Sequence, residues 1–266
     1  MEPSTTIHVE LGTADAPILV RWNTRAYWTE LFAKWGRDDA YAIFTDDGVV
    51  LINPREPAAK KLTELESGWG GKPLASLLTN AWNERDCYGF RERYGSPVWS
   101  AAGGEAEHEG EPDQFFVEGD DLPGGIEAMV LSDQFCGDTV FFWTAPGGER
   151  VAFVGDAVSA QIRDGEIDFH LQIYGRPTLD DYRAAFQRVA EQEIDMMCLA
   201  HGAAWLTIPE SGSGTRWRTT SCIETNGRRQ SCRLRGRSRR TGHWSERTGG
   251  RVQRSVEPGG DWEGRR

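Results

Sequence analysis

The sequence predicts a layered α/β domain in which β-sheets form the interior and α-helices cover them. Short apolar runs typical of strands come first, helical patterns follow, and this order occurs twice along the chain. A sheet or an amphipathic helix has an apolar face that must be buried against another element. The repeated order therefore predicts two sheets packed face to face, with helices outside.

The first half of this pattern begins with a β-hairpin. Residues 41–44 and 49–52 are apolar strands on either side of an Asp-Asp-Gly turn. Pro57, a residue favoured in the first turn of a helix, marks the start of the next element, in which Leu62 and Leu65 share one face. The other predicted elements of this half are a buried strand at 74–79, a helix at about 84–94, a strand at 98–100 and a long acidic surface loop at 103–125.

The second half repeats the order of strands and helix. Its clearest element is a helix at 178–192, which Thr178 and Asp181 begin in the manner of a capping box. Apolar side chains recur along one face of this helix, at Leu179, Tyr182, Phe186 and Val189. Strands are predicted before and after it, at 126–131, 138–144, 150–154 and 194–199.

Composition divides the chain into two unlike parts. Residues 209–266 contain 14 Arg, no Lys and 6 acidic residues, a net charge of +8, whereas the preceding part contains 16 basic and 35 acidic residues, a net charge of −19. The strongly acidic part before residue 209 repels nucleic acids and anionic membranes, so neither is an expected partner of it. We predict one domain over residues 1–208 and a separate Arg/Gly/Ser-rich tail over 209–266.

The tail has two interpretations. Its lack of an apolar period fits a disordered basic segment that binds nucleic acid or the protein's own acidic face. The alternative is a shifted reading frame in a G+C-rich gene, since such a frame yields Arg, Gly and Ser in excess. The absence of Lys favours the frameshift. Either interpretation predicts no regular structure after about Ser211.

Cysteine content and the first residues bear on the cellular compartment. The five cysteines form an odd set without a CxxC pair, which argues against a disulfide framework and against a cysteine zinc site. The first twelve residues have neither a basic start nor an apolar run, and no stretch approaches the roughly 20 apolar residues of a membrane span. We therefore expect a cytoplasmic protein with reduced thiols and no membrane partner.

One stretch, LLTNAWNERDCYGFRERYGSPVW, combines a buried strand, a polar loop and a helix. It resembles the strand, metal loop and helix of the metallo-β-lactamase family, in which the motif HxHxDH directly follows the strand. The equivalent residues here are Asn80, Trp82, Glu84 and Arg85. The metal motif is therefore degenerate, because Asn is a poor ligand, Trp is none and Arg is a fixed cation.

Further stretches resemble the same family in the same order. SDQFCGDTVFFW is similar to a strand that carries a histidine ligand, and it places Gln134 at that position. VAFVGDAVSA and CLAHGAAW are similar to the segments with the metal-bridging aspartate and the final histidine, here Asp156 and His201. The similarity extends over about residues 40–205. It implies a metallo-β-lactamase-like αββα sandwich in which these positions line one pocket.

The chemistry of that family depends on residues that this chain has partly lost. In the family, histidines and carboxylates hold one or two zinc ions that lower the pKa of a bound water. This chain keeps Asp156 and His201, with Glu84 standing in for the motif aspartate. Three ligands could hold a labile ion, whereas a closed zinc site has four. Arg85 could instead neutralise Asp156 or Glu84 without metal, since a guanidinium can bond both oxygens of a carboxylate.

Each of these residues also has a purely structural interpretation. Asp156 could satisfy turn amides at a strand end, and His201 could be a core histidine bonded to the backbone. Glu84, like Asp86, could favour the start of a helix through its dipole. Trp82 could fill the former metal pocket or lie exposed on the loop.

Two functional hypotheses from different classes follow. The first is a non-catalytic or altered relative of the metallo-hydrolases, which binds a small molecule in the old pocket and needs no cofactor. The second is a metal-dependent hydrolase with a reduced, single-metal zinc site at Asp156, His201 and Glu84. The run of residues 80–85 contains no histidine, which favours the first. Neither identifies a substrate, since one fold hosts many chemistries.

Overall fold

The structure is a computed structural model. It describes residues 6–13, 15–25, 37–57, 59–69, 73–132, 136–163, 166–171, 179–201, 205–207, 218–225 and 229–235. These residues contain sixteen strands, which in chain order are β1 Thr6–Gly12, β2 Pro17–Arg25, β3 Arg37–Thr45, β4 Gly48–Ile52, β5 Pro73–Leu77, β6 Val98–Ala101, β7 Gln114–Phe116, β8 Glu127–Val130, β9 Thr139–Thr144, β10 Arg150–Val154, β11 Val158–Arg163, β12 Glu166–Leu171, β13 Met196–Leu199, β14 Trp205–Thr207, β15 Arg218–Thr225 and β16 Arg229–Arg235. They also contain three α-helices, α1 Ala59–Gly68, α2 Cys87–Tyr94 and α3 Leu179–Ala190.

Two mixed sheets form the centre of the molecule. The first has seven strands in the order β1-β2-β3-β4-β5-β6-β7, antiparallel up to β4 and parallel from β4 to β7. The second has five strands in the order β14-β13-β10-β9-β8, in which β10 and β13 are the parallel pair. Parallel neighbours need a crossover connection. In the first sheet, α1 connects β4 to β5 and α2 connects β5 to β6.

The main core lies between these two sheets. Side chains from both, such as Ile52 and Leu77 of the first and Phe141 and Phe153 of the second, belong to one buried cluster. Tyr41 meets Phe153 edge to face, with ring centroids 5.4 Å apart, and its hydroxyl donates to a backbone carbonyl of β13. That bond satisfies the polar end of a buried aromatic residue. The predicted face-to-face packing of two sheets is confirmed.

Helices cover the outer faces of both sheets. Leu62 and Leu65 of α1 pack with residues of β2, β3 and β4 in a second cluster. Phe186 and Val189 of α3 pack with β9, β10 and β13 in a third. These are apolar faces that the helical periodicity predicted. The predicted αββα sandwich is therefore confirmed.

Two predicted elements of the first half differ in detail. The helix expected from about residue 84 begins at Cys87, because Ala81–Asn83 is a separate 3₁₀ turn and Arg85 has a positive φ of 44°. A residue with that backbone cannot lie within an α-helix. The loop expected over 103–125 contains the short strand β7, which pairs in parallel with β6.

A third sheet adds to the predicted two. Its four strands have the order β11-β12-β16-β15 and are antiparallel. The expectation of no regular structure after about Ser211 is wrong for β15 and β16. β-Branched residues in the segment favour strands, and the sequence Asn226-Gly227 between the strands is typical of a hairpin turn. The division of the chain at residue 208 stays a prediction.

Two smaller expectations concern thiols and membranes. Cys87, Cys136 and Cys198 are unbridged and buried, and burial raises the pKa of each thiol. Buried thiols of this kind behave as small apolar side chains. Within the described residues, no helix has the length and apolar character needed to cross a membrane.

Candidate functional site

The site is built where several strands end. Strands β10 and β13 are parallel neighbours, so their carboxyl ends lie at the same edge of the sheet. Asp156 follows β10 and His201 follows β13, each two residues after the strand. The loop from Asn80 to Asp86 leaves the end of β5 and approaches the same edge. Such an edge is a common position for binding and catalytic sites in α/β folds.

His201 and Asp156 contact each other directly. Nε2 of His201 lies 2.9 Å from Oδ1 of Asp156, and the two side chains are 25% and 13% exposed. A carboxylate only accepts hydrogen bonds, so Nε2 carries the proton and donates it. This nitrogen therefore has no lone pair available for another partner.

Arg85 approaches the same nitrogen of His201 that bonds Asp156. Its Nη1 donates to the carbonyl of Asp39 at 3.1 Å and approaches the carbonyl of Asn53 at 3.5 Å. Its Nη2 is 3.5 Å from Nε2 of His201. The guanidinium is thus held by two backbone carbonyls, on β3 and directly after β4, and its charge faces the histidine.

The charges around Asp156 determine its protonation state. Burial acts to raise the pKa of Asp156, but nearby His201, Arg85 and the amide of Asn83 outweigh burial and hold that pKa well below its usual range. Opposite charges and hydrogen bonds to the ionised form act in this direction. Asp156 is therefore an anion at neutral pH. The positive charge of Arg85 is one of the influences that lower this pKa, and neutralisation of Asp156 by Arg85 stays a prediction.

Asn83 is a site residue that sequence reasoning missed. Its Nδ2 lies 3.0 Å from Oδ1 of Asp156, 2.9 Å from Oδ1 of Asn80 and 3.1 Å from Oγ1 of Thr79. Asn80 in turn donates to Oδ1 of Asp138 at 2.9 Å. Asn80 and Asn83 are almost completely buried. Hydrogen bonds thus occupy the side-chain amide nitrogens of both asparagines in the loop that bears the degenerate motif.

Gly155 allows this loop to approach the end of β10. A Cβ atom placed on Gly155 would lie 2.2 Å from Oγ1 of Thr79 and 3.2 Å from Nδ2 of Asn83. Any side chain at this position would push the loop away from Asp156. The glycine of the sequence VGDA is therefore needed for the bond between Asn83 and Asp156.

Glu84 forms a different set of contacts from the other predicted site residues. Its carboxylate bonds His108 through Nδ1, accepts a bond from the Tyr88 hydroxyl at 3.0 Å, and accepts from the amides of Glu109 and Gly110 at 3.2 Å each. Within the described residues, no three His, Cys, Asp or Glu side chains are grouped so that they could hold a metal ion. The set Asp156, His201 and Glu84 therefore does not form the predicted three-ligand site.

The structure places the remaining predicted site residues in different ways. The structure brings Asn80, Arg85, Asp156 and His201 into one network of contacts at one edge. Trp82 lies on the same loop and is 41% exposed, so it does not fill a buried metal pocket. Gln134 lies outside the described residues.

Comparisons with known proteins bear on the fold. No protein-family model matches the sequence, and no curated protein matches it either. Among solved structures, a metallo-beta-lactamase from Pontibacter korlensis matches 77% of this chain and 94% of its own, with a TM-score of 0.52 and 16% identity. A flavoprotein from Thermotoga maritima matches 77% of this chain and 58% of its own, with a TM-score of 0.53 and 11% identity.

The chain has the metallo-β-lactamase fold. The match to the Pontibacter protein covers nearly all of that protein, and the two packed sheets with outer helices agree with it. A mutant flavo di-iron protein from Thermotoga maritima also matches, over 77% of this chain and 59% of its own, with a TM-score of 0.52 and 12% identity. At such identities the likeness shows the arrangement of the elements and not an activity.

Zinc is the metal that the family resemblance implies, and the site residues that the structure describes do not fit it. A ligating histidine offers a lone pair to the ion, whereas Nε2 of His201 donates its proton to Asp156. The permanent charge of Arg85 lies 3.5 Å from that same nitrogen and opposes a divalent cation there. Asn80 and Asn83 are weak ligands, and their amides already bond other groups of the site.

Proposed function

We propose that this metallo-β-lactamase-fold chain is a non-catalytic relative of the metallo-hydrolases that binds a small molecule without a metal ion. The observation that carries the proposal is the contact between His201 and Asp156, with Arg85 against the histidine. The two residues kept from the family's ligand set bond each other. The positive charge next to them comes from the side chain of Arg85, a residue of the protein itself.

The charges of the cluster support a site that is stable on its own. Two facing carboxylates without a metal would repel, and one would need to take up a proton. Among the described residues, His201, Arg85 and Asn83 favour the ionised form of Asp156. The arrangement needs no divalent ion to remain folded.

The exposed parts of the cluster suggest what a ligand would contact. His201 and Arg85 are partly exposed, and Trp82 presents an aromatic surface on the adjoining loop. Binding sites combine apolar surface with a few polar groups that fix orientation. Arginine is suited to planar acceptor groups, so we propose a ligand with a carboxylate or a similar acceptor. Gln134 is proposed to line the same pocket.

Metal analysis with thermal unfolding tests the metal-independent character. The purified chain should contain well under one metal ion per molecule, and EDTA should leave its Tm unchanged. Arg85→Ala removes the competing cation and should gain stability from added zinc, since an ion can then enter beside Asp156. About one zinc per chain, with strong stabilisation of the natural protein by zinc, would instead show a metal site and favour the alternative of a metal-dependent hydrolase.

A thermal-shift screen with small carboxylic acids tests ligand binding. A ligand that binds only the folded state stabilises it by about 2.7 kcal/mol at a concentration of 100 times Kd. Compounds that raise the Tm of the natural protein should fail with Arg85→Ala. They should act normally on Arg93→Ala, which removes an exposed arginine paired with Glu56. Equal shifts in all three proteins would contradict binding at Arg85.

A further inference from the structure

A second polar cluster lies beside the candidate site and is almost completely buried. Nε2 of His108 lies 2.8 Å from Oγ of Ser100, and Nδ1 of the same ring bonds the carboxylate of Glu84. Ser100 is fully buried on β6, and the side chains of His108 and Glu84 are 1% and 11% exposed. Buried polar networks whose members all have partners hold a single arrangement.

The directions of these hydrogen bonds are consistent with one tautomer. The Glu84 carboxylate accepts from Nδ1–H of His108, so Nε2 is the acceptor for the Ser100 hydroxyl. The same carboxylate accepts from Tyr88 and from the amides of residues 109 and 110. Ser100, His108 and Glu84 therefore form a continuous relay from β6 to the loop before α2.

The relay has the composition of a hydrolytic triad, yet burial excludes that role. A nucleophilic serine must reach a substrate carbonyl, and Ser100 has no exposed surface. A chain of hydrogen bonds that ends on a loop residue can instead hold the loop in position. The relevant loop residue is Glu84, which directly precedes Arg85.

Arg85 needs such an anchor, because its backbone has a φ of 44°. Residues other than glycine seldom adopt this left-handed region, so surrounding contacts must impose it. In the two residues before Arg85, the side chain of Asn83 bonds Asp156 and the side chain of Glu84 bonds His108. These bonds hold the loop to two different parts of the structure.

We infer that Ser100, His108 and Glu84 are positioning residues, which hold the loop so that the guanidinium of Arg85 lies against His201. The consequence for ligand binding rests on the proposed function. The positioning itself does not, since it concerns where Arg85 lies in the protein alone. Loss of the relay releases Arg85 into solvent and leaves the core packed.

Chemical modification of arginine by phenylglyoxal, followed by peptide mass spectrometry, measures this release. In the natural protein Arg85 should react slowly, as should Arg21, which is 11% exposed and paired with Glu10 and Asp39. In His108→Leu, Arg85 should react about fivefold faster or more, while Arg21 keeps its rate. His108→Asn can still donate to Glu84 and should restore slow modification.

A matched control separates positioning from general stability. Asp113 accepts a hydrogen bond from the amide of Val98 at the start of β6 and pairs with Arg91 of α2. Asp113→Asn should lower the Tm and leave the rate at Arg85 unchanged. If His108→Leu unfolds, which faster modification of Arg21 would reveal, Ser100→Ala decides the outcome through the same two rates.

Each possible result of the modification experiment either supports or overturns positioning by the relay. Faster modification of Arg85 alone, with restoration by His108→Asn, supports positioning by the relay. An unchanged rate at Arg85 in folded His108→Leu or Ser100→Ala overturns it, as does an equal rise in Asp113→Asn. The modification rates are measured without a ligand. If no carboxylic acid raises the Tm in the thermal-shift screen, the positioning of Arg85 by the relay is not affected. If the modification rates contradict positioning, the result of the thermal-shift screen is not affected.

Discussion

Nδ2 of Asn83 donates to Oδ1 of Asp156 at 3.0 Å, and the same oxygen is bonded by His201. Two neutral or cationic donors thus converge on one carboxylate oxygen, with Arg85 supplying a nearby positive charge. In this arrangement the negative charge of Asp156 stabilises the folded site.

Asp156→Asn should therefore lower the free energy of unfolding by about 1–3 kcal/mol at neutral pH, the usual effect of losing hydrogen bonds to a charged group. Because the pKa of Asp156 is lowered in the folded state, its stabilisation is fully present above the unfolded pKa of about 3.9. It is lost as the pH falls below that value towards the folded pKa. Urea unfolding at several pH values should show the two proteins converging in acid.

An exposed aspartate provides the control for this pH dependence. Asp47 lies in the turn between β3 and β4 with its side chain in solvent. Asp47→Asn should change the free energy of unfolding by no more than about 0.5 kcal/mol. A constant difference between Asp156→Asn and the natural protein from neutral pH into acid would contradict ionisation of Asp156 as the source of stability.

The strained backbone at Arg85 predicts an unusual order of variants. Arg85→Ala and Arg85→Gly both remove the guanidinium, but only glycine adopts a φ of 44° without steric cost. The glycine variant should be more stable than the alanine variant by about 1–2 kcal/mol, the cost of a left-handed conformation. Thermal unfolding of both variants measures this order. Greater stability of the alanine variant would show that the loop relaxes once the guanidinium is removed.

The close approach at Gly155 predicts a strong effect from one added methyl group. Gly155→Ala would place Cβ 2.2 Å from Oγ1 of Thr79, so the loop or the end of β10 must shift. Overpacking of this kind costs about 1–3 kcal/mol. Gly89→Ala is the matched control, because nothing lies within 4 Å of the added atom and the position is helical. It should be neutral or slightly stabilising, and similar melting temperatures for both variants would contradict the tight contact.

The relay predicts that Gly110 is as sensitive as Gly155. A Cβ atom on Gly110 would lie 2.2 Å from the ring of Tyr88, whose hydroxyl bonds Glu84. Gly110→Ala should lower the Tm and also raise phenylglyoxal modification of Arg85, since the ring displaces the carboxylate. Tyr88→Phe removes only the hydroxyl and should have a smaller effect on both. A lower Tm with an unchanged rate at Arg85 would indicate that this contact serves packing alone.

The elements with strong periodicity could be predicted from the sequence. Helices α1 and α3 have apolar residues on one face, and strands β4 and β10 are continuous apolar runs buried in the structure. The start of α2 could not be predicted, because tertiary bonds of Glu84 and the backbone of Arg85 keep both residues outside the helix. Local propensity contains no information on such bonds.

The candidate site was predictable only where residues follow strands. Asp156 and His201 could be placed together because both follow adjacent parallel strands. Asn83 and His108 could not, since their roles depend on partners 73 and 24 positions away. The sequence signal that could have drawn attention to His108 is a histidine in an otherwise acidic, Gly-rich segment, and this signal does not specify a partner.

The division between body and tail predicts that a chain ending at Ile208 folds. Among the described side chains, every member of the apolar core clusters lies at or before Leu199. Removal of residues 209–266 takes β15 and β16 from the third sheet, where β16 pairs with β12, and leaves those clusters intact. The shortened chain should unfold cooperatively with a Tm within about 2–4 °C of the full chain, the shift that about 1 kcal/mol produces in a domain of this size.

A chain ending at Asp195 also lacks β13, whose residues lie in the core between the sheets, and should not fold. Loss of cooperative unfolding in the chain ending at Ile208 would show that the β15–β16 hairpin belongs to the domain and that the sequence after residue 208 is a selected part of it.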